Sequence, residues 1–156
     1  MTTCTVCQNW TRRPLPGAAC GQSRLFCHLH PVGVAAFGAH GLLSGDVSVN
    51  AITGSTGAGV KPGATTHFSW RNNNMSIYKA FNHQHVPEIC QSLRALQPDF
   101  GGAIDFIPYR GDFARGIFAT EVVRVDASAD AGYFAGLYKE YYKDAPSRIT
   151  WTRPST

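Results

Sequence analysis

The chain has 156 residues, of which 44% are hydrophobic and 15% charged, with a formal net charge of +4. Its length suits one domain with a buried core, and no second full domain is expected within it. No apolar run approaches the roughly 18 residues of a membrane span, and the Lys and Arg residues never gather into basic runs interleaved with aromatics, so neither a membrane nor nucleic acid is an expected partner.

The first 38 residues differ in kind from the rest. Cys4, Cys7, Cys20 and Cys27 all fall there, and only Cys90 lies beyond. Prolines, glycines and paired arginines alternate without helical or strand period, so no packed element is expected before Ala39. The opening "MTTCTVCQNWTRRPLPG" lacks the apolar stretch of a secretory signal, which leads to the expectation of a cytoplasmic chain with reduced thiols. Cys4 and Cys7 have the two-residue gap of a zinc knuckle, but Cys20 and Cys27 (or His28 in its place) are separated by six residues or more. A knuckle uses about two to four, so no metal site is expected.

From Ala39 the text becomes regular. "DVSVNAI" alternates Val47, Val49 and Ala51 as a half-buried strand does. "STGAGVKPGATTHFSWRNNN" reads as a long glycine-rich loop, too irregular for core and of the kind that carries function. "VPEICQSLRAL" has Pro87 near a helix start and Ile89, Leu93 and Leu96 on one stripe. "AIDFIPY" and "GIFATEVVRV" are apolar, β-branched strands, and "SADAGYFAGLYKEYYK" spaces Tyr133, Phe134, Leu137, Tyr138 and Tyr141 helically behind Ser128 or Asp130 as a cap. The order implies an α/β (α+β) domain, a mixed sheet covered by helices.

Read by residue type alone, His85 caps the helix near Pro87 and His83 is a loop histidine, while "GSTGAG" is a flexible loop and Lys61 and Arg115 are solvated surface.

Three blocks, "NAITGSTGAGVKPG", "FNHQHVPEI" and "RGIFATEVV", resemble the N-acetyl-gamma-glutamyl-phosphate reductase family from about Ala39 to about Ser147. The resemblance covers that family's second domain, which is similar to the C-terminal domain of glyceraldehyde-3-phosphate and semialdehyde dehydrogenases. The family's Rossmann domain, its "YGLPEL" segment and its "NPGC(F/Y)AT" nucleophile segment are not legible. The resemblance implies an NADP-dependent, homo-oligomeric enzyme of arginine biosynthesis acting on a small acyl phosphate. A cysteine thiolate attacks the acyl phosphate, phosphate leaves, and hydride from NADPH reduces the thioester to the semialdehyde. A nearby imidazole lowers the thiol pKa and shuttles the proton. The resemblance makes His83 and His85 that acid/base locus, with Glu88 to orient a ring. It makes Ser55, Gly57, Gly59, Lys61 and Arg115 the anion-binding, substrate-side residues. A related dehydrogenase acting on a lysine-pathway or aspartyl phosphate substrate, and a non-catalytic dimerisation module, are the alternatives.

One permitted coding of Gly21 to Gly38, shifted by one base, reads Ala-Asn-Pro-Gly-Cys-Phe-Ala-Thr and onward as a version of the absent nucleophile segment. A permitted coding of Met1 to Trp10 likewise contains Tyr-Gly-Leu-Pro-Glu-Leu in another frame. The expected organisation is therefore an out-of-frame or poorly ordered segment over 1–38, the reductase domain over 39–147, and a tail over 148–156. Such a chain is expected to be a fragment that does not reduce the acyl phosphate alone.

Overall fold

Every second residue from Val47 to Thr53 is buried, and this alternation marks the central strand of a five-stranded mixed sheet. A computed structural model describes residues 2–8, 33–59, 61, 63–125 and 130–144. In chain order the elements are β1 (Thr2–Gln8), α1 (described over residues 33–39), β2 (Leu43–Thr53), α2 (Phe68–Arg71), β3 (Ser76–Ile77), α3 (Val86–Leu96), β4 (Ile104–Arg110), β5 (Ile117–Val125) and α4 (Ala131–Tyr141). The strand order is β1-β5-β2-β4-β3. β2 and β4 are parallel, which the crossover through α3 requires, and every other pair is antiparallel.

One face of the sheet is dry. Val47, Val49 and Ala51 of β2, Phe106 of β4, and Ala119 and Val123 of β5 meet Ile89 and Leu93 of α3, Val34 and Phe37 of α1, and Phe134 and Leu137 of α4 in a single core. Phe37 packs on Phe134 and Tyr138 with ring centroids 5.5 and 5.4 Å apart. Each such side chain, fully buried, contributes about 1.5–3 kcal/mol. Gln97, just past α3, is buried yet satisfied: its Oε1 accepts the Leu43 N–H at 3.1 Å and its Nε2 donates to the Leu43 carbonyl at 3.0 Å. This amide fastens the end of α3 to the start of β2.

α3 begins as its sequence requires, with Pro87 in the first turn, where a missing N–H costs nothing, and Glu88 beside it at the positive end of the helix. At α4 the cap is Asp130, whose carboxylate accepts the Tyr133 N–H at 2.8 Å. Ser128, the other candidate, lies outside the described residues. Tyr133 itself is exposed rather than part of the buried stripe, lying edge-on to Phe134 at the start of the helix.

The expectation of no packed element before Ala39 is corrected twice. Residues 2–8 form an edge strand on β5, with Cys4 opposite Glu121 and Cys7 opposite Phe118 in the register. Residues 33–39 form α1, whose Val34, Ala36 and Phe37 are in the core. Two helical turns between Gly33 and Gly38 are too short to display a periodic stripe, so only the tertiary contacts define them. Cys20, Cys27 and His28 lie outside the described residues. No described helix is long and apolar enough to cross a membrane.

Candidate active site

The glycine-rich segment after β2 is held by another loop. The backbone N–H groups of Gly54, Ser55 and Thr56 donate to the carbonyls of Gly116, Phe113 and Ala114 at 2.9–3.0 Å. The Thr56 hydroxyl adds a bond to the Ala114 carbonyl at 2.8 Å. Gly54 is required by the closeness of the two chains, since a Cβ there would lie 2.8 Å from the Ala114 and Arg115 backbone. The pairing brings Ser55 and Arg115 onto adjoining loops at one end of the sheet. Gly57 and Gly59 flank the end of the one-turn 3-10 helix Ser55–Ala58, and Gly59 has φ 93°, a left-handed conformation that favours glycine. Lys61 and Arg115 are exposed.

His83 and His85 are both buried, with ring centroids 4.7 Å apart and planes at 69°. The backbone N–H of His85 donates to His83 Nδ1 at 3.2 Å. His85 occupies the N-cap position of α3, and its carbonyl accepts the Ile89 N–H at 2.9 Å, but its ring makes no capping bond. The ring is thus turned into the protein, which the reading of His85 as a simple cap does not explain. His83 packs edge-on against Phe106 of β4, at 5.2 Å, and against Tyr78, at 5.6 Å. Burial, reinforced by the positive charges of His85 and Lys79, pushes its pKa down to about 4, while Glu88 acts in the opposite direction. Glu88, half-buried in the first turn of α3, therefore acts on His83 through its charge.

The histidines and the paired loops are attached to β4 at different heights. Phe106 precedes Arg110, at the strand end, by four residues, a rise of about 13 Å. What joins the two levels was not legible in the sequence. Arg71, inside the stretch expected to be an irregular loop, is buried and donates five hydrogen bonds. Its Nε and Nη2 reach the Thr65 carbonyl at 3.2 and 2.9 Å, and Nη2 also reaches Ser76 Oγ at 3.0 Å. Its Nη1 donates to the carbonyls of Asn74, at 3.2 Å, and Arg110, at 2.9 Å. The Arg110 guanidinium in turn lies over the Tyr78 ring, 4.4 Å from its centroid. Burial pushes the Tyr78 hydroxyl up to about 12, against the pull of Arg110. Most of the Arg71 partners are backbone carbonyls, which residue types do not encode.

Cys90 is half-buried and packs against the core. Among the described residues no cluster of three or more His, Cys, Asp or Glu side chains could hold a metal ion.

A mixed sheet with helices packed on one face thus carries a buried histidine pair at the start of a helix crossing that face. Residues 30–153 match the family model described as semialdehyde dehydrogenase, dimerisation domain, and the chain belongs to that family. Within it, similar relatives are N-acetyl-gamma-glutamyl-phosphate reductases. That of Bacteroides thetaiotaomicron is 70% identical over 101 residues, covering 65% of this chain and 31% of the relative. That of Phocaeicola vulgatus is 66% identical over 105 residues (67% and 32%), and that of Flavobacterium johnsoniae 57% over 107 residues (69% and 32%). The chain thus spans about a third of the length of the curated relatives it matches.

Proposed function

We propose that this chain is the substrate and dimerisation domain of an N-acetyl-gamma-glutamyl-phosphate reductase. The full enzyme carries out the NADPH-dependent reduction of N-acetylglutamyl 5-phosphate to N-acetylglutamate 5-semialdehyde in arginine biosynthesis, in the cytoplasm. The observation that carries this reading is the buried His83–His85 pair, in a chain up to 70% identical to relatives of that name.

In this reading His83 and His85 move the proton, and the charge of Glu88 tempers how strongly His83 resists protonation. Because His83 Nδ1 accepts the His85 N–H, the neutral ring carries its own proton on Nε2, where it can donate to an oxygen gaining charge. Once charged, a ring of depressed pKa returns its proton readily. Ser55, Gly57 and Gly59 offer a hydroxyl and backbone N–H groups to an anionic substrate, and Lys61 and Arg115 supply positive charge at the same end of the sheet.

NADPH, when bound, supplies the hydride. The described residues do not fit it: the glycines after β2 lead into the one-turn 3-10 helix Ser55–Ala58, not a long helix whose N-terminus could hold a pyrophosphate. Cofactor binding and the nucleophilic thiolate belong to the rest of a full reductase, and this chain alone is not an active enzyme. In this reading residues 1–38 are out-of-frame text of which 2–8 and 33–38 nonetheless pack as β1 and α1, with 148–156 a tail; codons for Gly21 to Gly38 incompatible with Asn-Pro-Gly-Cys in the neighbouring frame would remove it.

The chain pairs with a second copy through the sheet face that no described helix covers. Ile52, Ile107, Phe118 and Val122 alternate with the buried set and are half-buried or exposed. The family's description as a dimerisation domain supports that occupant.

The test is genetic. The chain from Ala39 onward, exchanged for the matching domain of the Bacteroides thetaiotaomicron reductase, should support growth without arginine in a strain lacking its own reductase. A soluble chimera that gives no growth contradicts the reading.

A further inference from the structure

Arg110 and Arg71 have no place in the proposed chemistry, yet they form a continuous line of contacts to it. Arg71 fixes the Arg110 carbonyl, the Arg110 guanidinium covers Tyr78, the Tyr78 ring meets His83, and His83 meets His85. All five hydrogen bonds of Arg71 stay within its loop, β3 and the end of β4. A guanidinium has five N–H donors, so this one is saturated and cannot also bind a substrate anion. Its effect is geometric: it ties the loop from Thr65 to Ser76 to the strand that carries Arg110. The Arg110 side chain has a different task, because a planar cation on the face of Tyr78 holds that ring against the imidazole.

We propose that Arg110 is a positioning residue for the His83–His85 pair, acting through the Tyr78 ring, and that Arg71 in turn positions Arg110. This rests on the reading of the two histidines as the proton-transfer pair, but the arrangement is testable by titration without turnover. The groups facing His83 are Tyr78 and Lys79 from the loop before α3, His85 and Glu88 from α3, and Phe106 and Arg110 from β4. Removing Arg110 withdraws a positive charge and uncovers Tyr78, and both changes favour protonated His83.

The experiment follows the imidazole resonances of His83 by NMR across an acid titration of the full chain. Arg110→Ala should move the His83 midpoint upward by on the order of half a unit or more. Arg110→Met, which keeps bulk and removes charge, should give part of that shift, and Arg110→Lys, which restores charge, should return most of it. Arg71→Ala should shift His83 in the same direction, and the double variant should shift it no further than Arg110→Ala, since both act through one contact. A His83 midpoint unchanged in folded Arg110→Ala and Arg110→Met overturns the proposal, as does an additive double variant. Should Arg71→Ala fail to fold, Arg110→Met decides, because the Arg71 bond goes to the Arg110 carbonyl and survives that change. Loss of activity in a chimera with normal titration would count against the catalytic reading instead.

Discussion

The backbone N–H of His85 donates to Nδ1 of His83 at 3.2 Å, so one histidine fixes the tautomer of the other. This bond needs an unprotonated Nδ1, and the burial that depresses His83 to about 4 keeps it unprotonated at neutral pH. The consequence is a pH-dependent stability. Between about 6.5, the ordinary value, and about 4, the unfolded chain binds a proton at this ring that the folded chain does not. The contribution is fully present above 6.5 and is lost as pH falls through that window. Allowing for residual solvent screening, the loss is on the order of 1–2 kcal/mol. Urea unfolding at several pH values measures it, and His83→Gln should flatten the slope.

Gly54 supports the paired loops by its lack of a side chain. Gly54→Ala places a Cβ 2.8 Å from the Ala114 and Arg115 backbone, which must shift. With φ at −70° its backbone is unstrained, so closeness is the whole cost. We expect a loss of about 1–3 kcal/mol, with faster amide exchange at Ser55 and Thr56, whose N–H groups make the pairing. Unchanged exchange there would contradict this role.

The strands and long helices were legible because each carries its period locally. "VPEICQSLRAL" is α3 residue for residue, and "DVSVNAI" lies within β2 with Val47, Val49 and Ala51 inward as expected. The histidines were singled out from the "HQH" motif, and the structure adds their burial and mutual contact. Edge strand β1 and two-turn α1 were illegible because their partners lie far along the chain, and the Arg71 clamp because one of its partners does and most of them are backbone carbonyls. Arg71 reaches Arg110, and the α1 residue Phe37 finds Phe134 and Tyr138. A polar, glycine-rich context masks a buried arginine whose partners are mainly carbonyls.

Glu121 is a buried carboxyl in the middle of β5, and the space over Gly33 is filled by its oxygens. Burial raises its pKa well above the ordinary carboxylate value. A raised folded value means the fold is favoured below the unfolded pKa near 4.5 and loses that advantage as pH rises. Glu121→Gln keeps the shape and removes the ionisation. Its Tm should exceed that of the wild type in mildly alkaline buffer and match it in acid. A variant that gains nothing at alkaline pH would show that Glu121 is charged in the fold.

Phe118 lies on the sheet face that no described helix covers and is 40% exposed. If a second copy docks there, Phe118→Asp buries a charge at the interface, which a dimer does not tolerate without a partner. Sedimentation should show wild-type dimers and variant monomers, with the helical content unchanged. A variant that remains dimeric places the interface elsewhere.

If the proposed function holds, His83 and His85 supply proton transfer to an acyl-phosphate reductase whose thiolate and cofactor site lie elsewhere in the full enzyme. The decisive measurement is the rate of NADPH formation from N-acetylglutamate 5-semialdehyde, phosphate and NADP. It compares the purified chain with its 39–147 region joined to the upstream part of a full reductase, each with and without His83→Ala and His85→Ala. The expected result is no turnover from the chain alone, turnover from the joined protein, and a fall of roughly 100-fold or more when the proton-carrying histidine is lost. Turnover by the chain alone that vanishes with either substitution, or a joined enzyme indifferent to both, would contradict it.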